Sequence, residues 1–468
     1  MIRTIFSMLI LIGSLTIAMG QEQQKQEETE KPVKRMTVKE ARAASKLQQL
    51  QLDSLKRAAS ALNPDRWKSL SEAQLRKFAD SLAHKYIIVD GHVDLPEYMM
   101  DHKYLSVKQL ATVPVQNKDG DFDYVRAKKG GLTAPFMSIY VPSSYQKTGG
   151  AKEYADSLIN MVNEIAKANP DKFSVVRSPS QIESNFKKGI ISLPMGMENG
   201  APIGDSIQNV EYFHKRGIRY ITLTHATDNQ ISDSSYDSTG TWNGLSTFGK
   251  EVVKEMNRVG IMVDVSHLSD SAALQAIALS EVPCIASHSS IRKFTPGFIR
   301  NMNDDILKEL AAKGGVIGIS FGTSFLDENL RMLRNKRSEK LKTLLDKQKL
   351  TEDSPAAKLI VDKFNKENPV KYATIDMVAN HIDHAVKLVG IDHVGLGSDF
   401  DGVGDSLPAG LKDVSQYPNL LYILLKRGYS EEDISKICYK NFFRVWTQVE
   451  ARARYLEELA KREAEKKN

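Results

Sequence analysis

The sequence feature that most constrains the fold is an apolar run that stops abruptly at polar residues, residues 87–94 (I-I-V-D-G-H-V-D). Short apolar runs rich in β-branched residues are typical of buried strands in a parallel sheet. Because alternate side chains of a strand point to the same face, we expect His92 and Asp94 to project together from its carboxyl end. An imidazole nitrogen beside a carboxylate oxygen suits a divalent transition metal. The run therefore predicts a buried strand whose end carries two metal ligands.

Seven further runs of this kind follow, and amphipathic helices separate most of them. Residues 248–260, for example, have the helical pattern, with basic Arg258 in the last turn and Gly260 as the stop. Strands that alternate with helices predict an α/β fold, a (β/α)8 TIM-type barrel, with a helical insertion before the eighth strand and a helical N-terminal arm. The predicted strands are 87–94, 136–141, 191–198, 218–225, 261–267, 282–288, 315–322 and 393–399.

The N-terminus has the pattern of a signal peptide. Arg3 supplies a positive charge, and the apolar stretch 5–18 is shorter than the roughly 20 residues that span a bilayer. Small residues then precede Gln21, where cleavage is expected. We therefore expect an exported protein, periplasmic or secreted, without stable membrane insertion after cleavage; an uncleaved N-terminal anchor is the alternative.

The rest of the chain divides by composition. A charged, Gln-rich segment precedes the pattern of strands and helices, and a charged helical stretch interrupts that pattern before the last strand. The predicted organisation is a signal peptide at 1–20, an arm or linker at 21–70, a barrel at 71–450 with an insertion at about 326–371, and a charged tail at 451–468.

Charge and cysteine content exclude two classes of function. The net charge is +6, but the basic residues crowd the two ends and form no stripe with aromatic residues, so nucleic-acid binding is not expected. The two cysteines, Cys284 and Cys438, lie outside any C-x-x-C pattern, which argues against a thiolate metal site or a disulfide framework.

Metal-capable residues end six of the eight predicted strands. Barrel active sites lie at the carboxyl ends of the strands, so these side chains should converge. A single strand-end histidine is usually a hydrogen-bonded structural residue, but four of them with three carboxylates indicate a metal site. The set is His92, Asp94, Glu198, His225, His267, His288 and Asp399.

The motifs around these residues resemble those of the membrane (renal) dipeptidase family, zinc dipeptidases of the amidohydrolase superfamily. V-D-G-H-V-D, G-M-E-N-G, L-T-H, D-V-S-H, A-S-H-S-S and G-S-D-F-D-G-V occur in the expected order between residues 79 and 450. The resemblance implies two zinc ions (Zn2+) per chain, hydrolysis of free dipeptides, and a homodimer. Whether a C-terminal D-residue is accepted stays open.

The same resemblance implies a ligand set. His92 and Asp94 would bind one zinc ion, His267 and His288 the other, and Glu198 would bridge both. The chemistry agrees, because two zinc ions about 3.5–4 Å apart can share a hydroxide near neutral pH. Bridging needs a carboxylate, since an imidazole has only one free lone pair.

Three further residues receive catalytic or binding roles from the resemblance. His225 would contact the scissile carbonyl or its oxyanion, and Asp399 would carry the proton from water to the leaving amine. Arg300 would hold the carboxylate of the substrate, with Arg292 as the alternative. Asp401 is the alternative candidate for the proton carrier. The position of Asp399 in the motif favours Asp399 for this role.

Two other functions remain open at this point. Another metal-dependent amidohydrolase, such as a lactonase or deaminase, would use the same barrel. Deaminase relatives usually have H-x-H on the first strand, where this chain has His92 and Asp94. Several binuclear relatives have a modified lysine on the fourth strand, where the predicted strand of this chain ends in His225. Both differences count against this alternative. A non-catalytic binding protein would be expected to have lost a ligand, and none is missing.

Overall fold

The eight predicted strand runs each contribute one strand to a closed parallel barrel, which confirms the predicted fold class. The computed structural model describes residue 63 and residues 65–352 and 354–466; the predicted signal peptide and most of the predicted arm lie outside these residues. The barrel strands are β1 (Val89–Val93), β2 (Ala134–Tyr140), β5 (Met195–Glu198), β6 (Ile218–Thr222), β7 (Met262–Asp264), β8 (Ile285–Ser289), β9 (Val316–Ile319) and β10 (Val394–Leu396). Around the barrel their order is β1-β10-β9-β8-β7-β6-β5-β2.

The third run differs from its prediction, because it forms two strands rather than one. Its first half, β4 (Ile191–Leu193), pairs with β3 (Phe173–Val175) in a separate two-stranded sheet. Pro194 lies between β4 and the barrel strand and has no N–H group to donate to a neighbour. Its carbonyl still accepts a hydrogen bond from the Met137 N–H at 2.8 Å, so the chain enters the barrel directly after the proline.

Helices connect the strands, and their ends follow local capping chemistry. The Ser246 side chain accepts a hydrogen bond from the Gly249 N–H at the start of one helix, and Gly260 ends that helix with a φ of 94°. Among the described residues, every helix is too short or too polar to cross a membrane. The helices are α1 (Glu72–Lys85), α2 (Leu95–Asp101), α3 (Val107–Thr112), α4 (Tyr124–Gly130), α5 (Tyr145–Thr148), α6 (Ala151–Ala168), α7 (Pro179–Lys187), α8 (Gln208–Arg216), α9 (Thr247–Val259), α10 (Asp270–Leu279), α11 (Asp304–Ala312), α12 (Thr323–Leu326), α13 (Glu328–Asp346), α14 (Lys358–Glu367), α15 (Ile375–Val389), α16 (Tyr417–Lys426), α17 (Glu431–Ser435) and α18 (Asn441–Glu465).

The packing of the barrel interior requires a glycine at position 196. Tyr220 of β6 is fully buried, and a Cβ placed on Gly196 of the neighbouring strand β5 would lie only 1.9 Å from its ring. Any larger residue at position 196 would therefore displace the ring from the barrel interior. Aromatic packing continues through Phe136, whose ring centroid is 5.3 Å from that of Tyr220 and 5.3 Å from that of Trp446 on α18. This packing connects the last helix to the barrel strands.

The charged segment before the last barrel strand is helical. Helices α12, α13 and α14 lie between β9 and α15, and a small cluster of buried residues holds α13 and α14 together. His381 of α15 connects this segment to the barrel: its Nδ1 accepts from the Ile291 N–H at 2.9 Å, and its Nε2 donates to the Leu326 carbonyl at 3.0 Å. His381 therefore has a packing role.

Candidate metal centre and active site

The strand-end residues meet at the carboxyl end of the barrel, beside a cavity of about 740 Å³. They form three overlapping groups in which nitrogen and carboxylate oxygen atoms lie within 4.8 Å of one another. Each of the seven residues therefore falls into at least one cluster with metal-ligating capacity. The groups are His92, Glu198 and His288; Glu198, His225 and His267; and His92, Asp94 and Asp399.

Glu198, at the end of β5, lies at the centre of this arrangement and is only 4% exposed. Its Oε2 is 3.3 Å from His92 Nε2. Its other oxygen, Oε1, is 3.0 Å from His267 Nε2 and 3.2 Å from His288 Nε2. The two oxygens of one carboxylate thus face two different sets of imidazole nitrogens.

The charge of Glu198 follows from its surroundings. Burial by itself raises the pKa of a carboxyl group, but the surrounding imidazoles, through the charges of His92 and His225 and the hydrogen bonds of His267 and His288, together hold the pKa of Glu198 well below its usual range. Glu198 is therefore ionised, which is the form that can bind a cation.

The histidines on β8 and after β7 are neutral. Burial lowers the pKa of both His267 and His288 well below the usual range, and the nearby Arg300 guanidinium lowers it further. A neutral imidazole is the form that binds a metal, because it keeps one nitrogen lone pair free. Both histidines are thus already in the form that binds a metal.

The donor atoms fit divalent cations. His92 Nε2 is buried without a hydrogen-bond partner among the described residues, 3.3 Å from Asp94 Oδ2 and 3.3 Å from Glu198 Oε2. On the other side of Glu198, the Nε2 atoms of His267 and His288 are 2.9 Å apart. Nitrogen atoms and carboxylate oxygen atoms that converge in this way are stabilised by a cation between them, and zinc takes imidazole and carboxylate ligands. The residues present therefore fit zinc at two neighbouring positions.

Hydrogen bonds behind the cluster orient two of the imidazoles, and no sequence motif indicates these contacts. The Tyr220 hydroxyl is 2.8 Å from His92 Nδ1. The Ser287 hydroxyl donates to Asp264 Oδ2 at 2.6 Å, so it accepts from His288 Nδ1 at 2.8 Å and leaves Nε2 with the lone pair. Asp264 lies in the D-V-S-H motif, Ser287 lies in the A-S-H-S-S motif, and Tyr220 is a polar residue in an apolar run, but no pattern pairs them with their histidines.

We expect Tyr220→Phe to lower the metal affinity of the site by about 10- to 100-fold, because His92 loses the contact that fixes its ring. The ring itself is kept, so the barrel packing should survive. Competition with a chelator measures the affinity. Tyr429→Phe is the matched control, since it removes another buried phenol hydroxyl, bonded to Asp383 at 2.8 Å away from the site. Native affinity in Tyr220→Phe would contradict an orienting role.

Asp90 supports the strand ends rather than the cluster itself. Its Oδ1 accepts from the backbone N–H groups of His92 at 3.0 Å and Ser398 at 2.9 Å, and its Oδ2 accepts from the Tyr417 hydroxyl. These bonds join the end of β1 to the segment after β10, which brings the loop with Asp399 beside His92.

Asp399 lies in that loop with a left-handed backbone, at a φ of 67°. Gly402 makes the close approach possible, because a Cβ there would lie 2.2 Å from Asp94 Oδ2 and 2.6 Å from Asp399 Oδ1. Burial raises the pKa of Asp399 to about 8, so this carboxyl group can hold a proton near neutral pH. Burial also raises the pKa of Asp401, so hydrogen bonding rather than pKa distinguishes the two aspartates: Asp401 Oδ1 accepts from the Asp121 N–H at 2.5 Å.

His225 is the histidine of the cluster that is most open to the cavity. Its side chain is 20% exposed, and its Nε2 is 3.6 Å from Glu198 Oε1. The ring packs edge-on against Tyr140, with 4.8 Å between ring centroids. A molecule in the cavity can therefore contact His225 directly.

The two candidate arginines have different surroundings. Arg300 is buried, and its Nη2 is 2.8 Å from His267 Nε2 and donates to the His288 carbonyl at 2.8 Å. Arg292 instead donates from both terminal nitrogens to the Asp270 carboxylate, at 2.7 and 2.5 Å. Only the Arg300 guanidinium borders the histidine cluster.

Further residues line the cavity that the sequence analysis did not single out. Glu97 and Asp101 form an acidic side, near Tyr140. Phe325 and Arg334, from the helical segment between β9 and β10, also line the cavity. These positions carry no motif, and only the fold brings them to the site.

Comparisons with known proteins agree with one another. The family model described as membrane dipeptidase (peptidase family M19) matches residues 76–459. The chain is 32% identical over 387 residues to an uncharacterised dipeptidase of Schizosaccharomyces pombe, covering 80% of this chain and 83% of that protein. It is 31% identical over 379 residues to the dipeptidase tcpJ of Claviceps purpurea, covering 77% and 76%. Among solved structures, the probable dipeptidase PvdM of Pseudomonas aeruginosa is similar, with 26% identity, a TM-score of 0.67, and coverage of 81% of this chain and 100% of that chain.

Proposed function

This chain belongs to the membrane dipeptidase family (peptidase family M19) and is a metallo-dipeptidase, and from that premise we propose that it is an exported enzyme that uses two zinc ions to hydrolyse free dipeptides. One observation carries the proposal of two ions: the oxygens of Glu198 face two separate sets of donors. The proposal of export rests on the sequence of residues 1–20.

The proposed ligands divide around Glu198. His92 and Asp94 would hold one ion and His267 and His288 the other, with one oxygen of Glu198 on each side. When bound, the two zinc ions would polarise the scissile carbonyl and lower the pKa of the attacking water to near neutrality.

Asp399 is the proposed proton carrier. A peptide nitrogen is a poor leaving group unless it is protonated as the bond breaks, so the reaction needs a general acid beside the attacking water. Asp399 is buried beside His92 and Asp94, and its raised pKa suits a group that takes a proton from water and returns it to the amine.

His225 and Arg300 are the proposed substrate contacts. His225 faces the cavity beside Glu198, where its ring can stabilise the charge that develops on the carbonyl oxygen. Arg300 can hold the free carboxylate of a dipeptide with its planar guanidinium. The ion pair of Arg292 with Asp270 supports Arg300 over Arg292 for this role.

We expect Arg300→Leu to raise KM for dipeptides by about 10- to 100-fold, because a charge-assisted contact with the carboxylate is lost. Steady-state kinetics, with metal content measured on the same samples, tests this. Arg292→Lys keeps the charge of the alternative arginine, whose side chain also donates to the carbonyls of Ile299 and Asn301 on either side of Arg300, and should keep KM within a few-fold of native. An unchanged KM in Arg300→Leu would move the carboxylate contact elsewhere, with Arg292 as the next candidate.

The proposed function is tested by metal analysis together with a dipeptide panel. The panel contains L,L- and L,D-dipeptides, an N-blocked dipeptide and a C-amidated dipeptide. We expect about two zinc ions per chain, turnover of the free dipeptides and no turnover of the C-amide. Two zinc ions without dipeptide turnover would indicate another amidohydrolase substrate, and an inability to bind zinc would contradict the proposed metal site.

A further inference from the structure

One wall of the active-site cavity comes from the helical segment between β9 and β10. Ser324, Phe325 and Arg334 line it. The Phe325 ring centroid lies 5.5 Å from the guanidinium carbon of Arg300. If Arg300 holds the carboxylate of a dipeptide, as proposed above, the side chain of the C-terminal residue lies beside this wall.

The guanidinium of Arg334 is incompletely satisfied. Its Nη2 donates to the backbone carbonyl of Asp405 at 3.0 Å, while its Nη1 is buried without a hydrogen-bond partner among the described residues. The Asp405 carboxylate contacts other groups, the Tyr372 hydroxyl at 2.5 Å and Lys412 Nζ at 3.8 Å. A buried donor without an acceptor costs free energy, so an anionic group that enters the cavity would satisfy Arg334.

Basic residues predominate in the groove beside Arg334, although the charge of Asp405 also acts on its guanidinium. Its other side borders a groove of about 230 Å³ that is also lined by Lys336, Arg337, Lys340 and Lys371. Arg337 and Lys340 use neutral oxygens of Asn365 and Asn368 as acceptors rather than carboxylates. Because no carboxylate pairs with these donors in the described contacts, the positive potential at this wall favours anions.

We propose that Arg334 binds the acidic side chain of the substrate's C-terminal residue, so that dipeptides ending in Asp or Glu are preferred. This inference rests on the proposed dipeptidase function and on the carboxylate contact of Arg300. Glu97 and Asp101 also line the cavity, and burial raises the pKa of Glu97 to about 7. Arg334 is the one arginine among the residues that line the cavity, and these include no lysine, so Arg334 is the permanent cation there that can pair with an acidic side chain.

The test compares kcat/KM for Ala-Glu and Ala-Gln, which have nearly the same shape and differ in charge. The native enzyme should prefer Ala-Glu by about tenfold, the size expected for a charge-assisted hydrogen bond. Arg334→Gln should bring the ratio close to one, and Arg334→Glu should favour Ala-Lys over Ala-Glu. Arg337→Gln is the matched control: it removes the same charge from the same helix and should keep the native ratio.

Three results would overturn the inference: no native preference for Ala-Glu, an unchanged ratio in Arg334→Gln, or an equal loss of preference in Arg337→Gln. The last result would mean that the preference comes from the combined positive charge of the helical segment rather than from Arg334 itself. If the native enzyme hydrolyses Ala-Gln but does not prefer Ala-Glu, this inference fails while the proposed dipeptidase function stands. If the zinc-loaded native enzyme cleaves neither dipeptide, the proposed function fails and this inference fails with it.

Discussion

Asp399→Asn is expected to lower kcat by about 10²- to 10⁴-fold, the usual contribution of a positioned general acid and base. Asparagine has nearly the same shape, and the backbone N–H at position 399 still donates to the His92 carbonyl at 3.1 Å, so the loop should keep its place. The amide cannot take up and return a proton. Steady-state kinetics measures the loss, and metal analysis should find the native zinc content, because Asp399 is not a proposed ligand.

Asp401→Asn is the matched control for Asp399. It changes the second aspartate of the same loop, whose carboxylate accepts from the Asp121 N–H and whose own N–H donates to Asp121 Oδ2 at 2.9 Å. We expect kcat close to native, because asparagine keeps a side-chain oxygen that can accept from the Asp121 N–H. Native turnover in Asp399→Asn, or a comparable loss in Asp401→Asn, would remove Asp399 as the proton carrier.

The fold could be predicted because the strands carry a simple signal. Each barrel strand is buried on both faces, so it appears in the sequence as a short apolar run that stops where the strand reaches the active-site end. Because barrel active sites lie at that end, residues that follow different strands, such as His92 and Asp399, can be predicted to lie close together. The third run shows the limit, because hydrophobicity continues through Pro194 while the backbone pairing changes from one sheet to the other.

Contacts between distant segments could not be predicted in the same way. Tyr220 is 128 residues from His92, and neither local propensity nor periodicity indicates that its hydroxyl reaches His92 Nδ1. Arg334 lies on a charged helix whose composition alone suggests a solvated surface, yet the fold brings it to the cavity wall. The sequence can list the residues that end strands, whereas orienting bonds and specificity contacts depend on tertiary packing.

Glu198→Gln should cause the loss of both zinc ions at metal concentrations that saturate the native enzyme, and turnover should fall at least about a thousandfold. The reason is the central position of Glu198, which has one oxygen 3.3 Å from His92 Nε2 and the other 3.0 Å from His267 Nε2. A glutamine keeps one weak oxygen donor, replaces the other with an NH₂ group that cannot bind a cation, and removes the negative charge that both ions would share.

Metal content by elemental analysis and affinity by chelator competition test this expectation for Glu198. Glu97→Gln is the matched control: it replaces another carboxyl group of the same cavity, one that accepts from the Tyr154 hydroxyl at 2.9 Å, and should keep both ions. One zinc ion retained at native affinity in Glu198→Gln would restrict Glu198 to a single site. Two ions retained at native affinity would contradict the bridging role, and the two-ion arrangement would then need a different shared ligand.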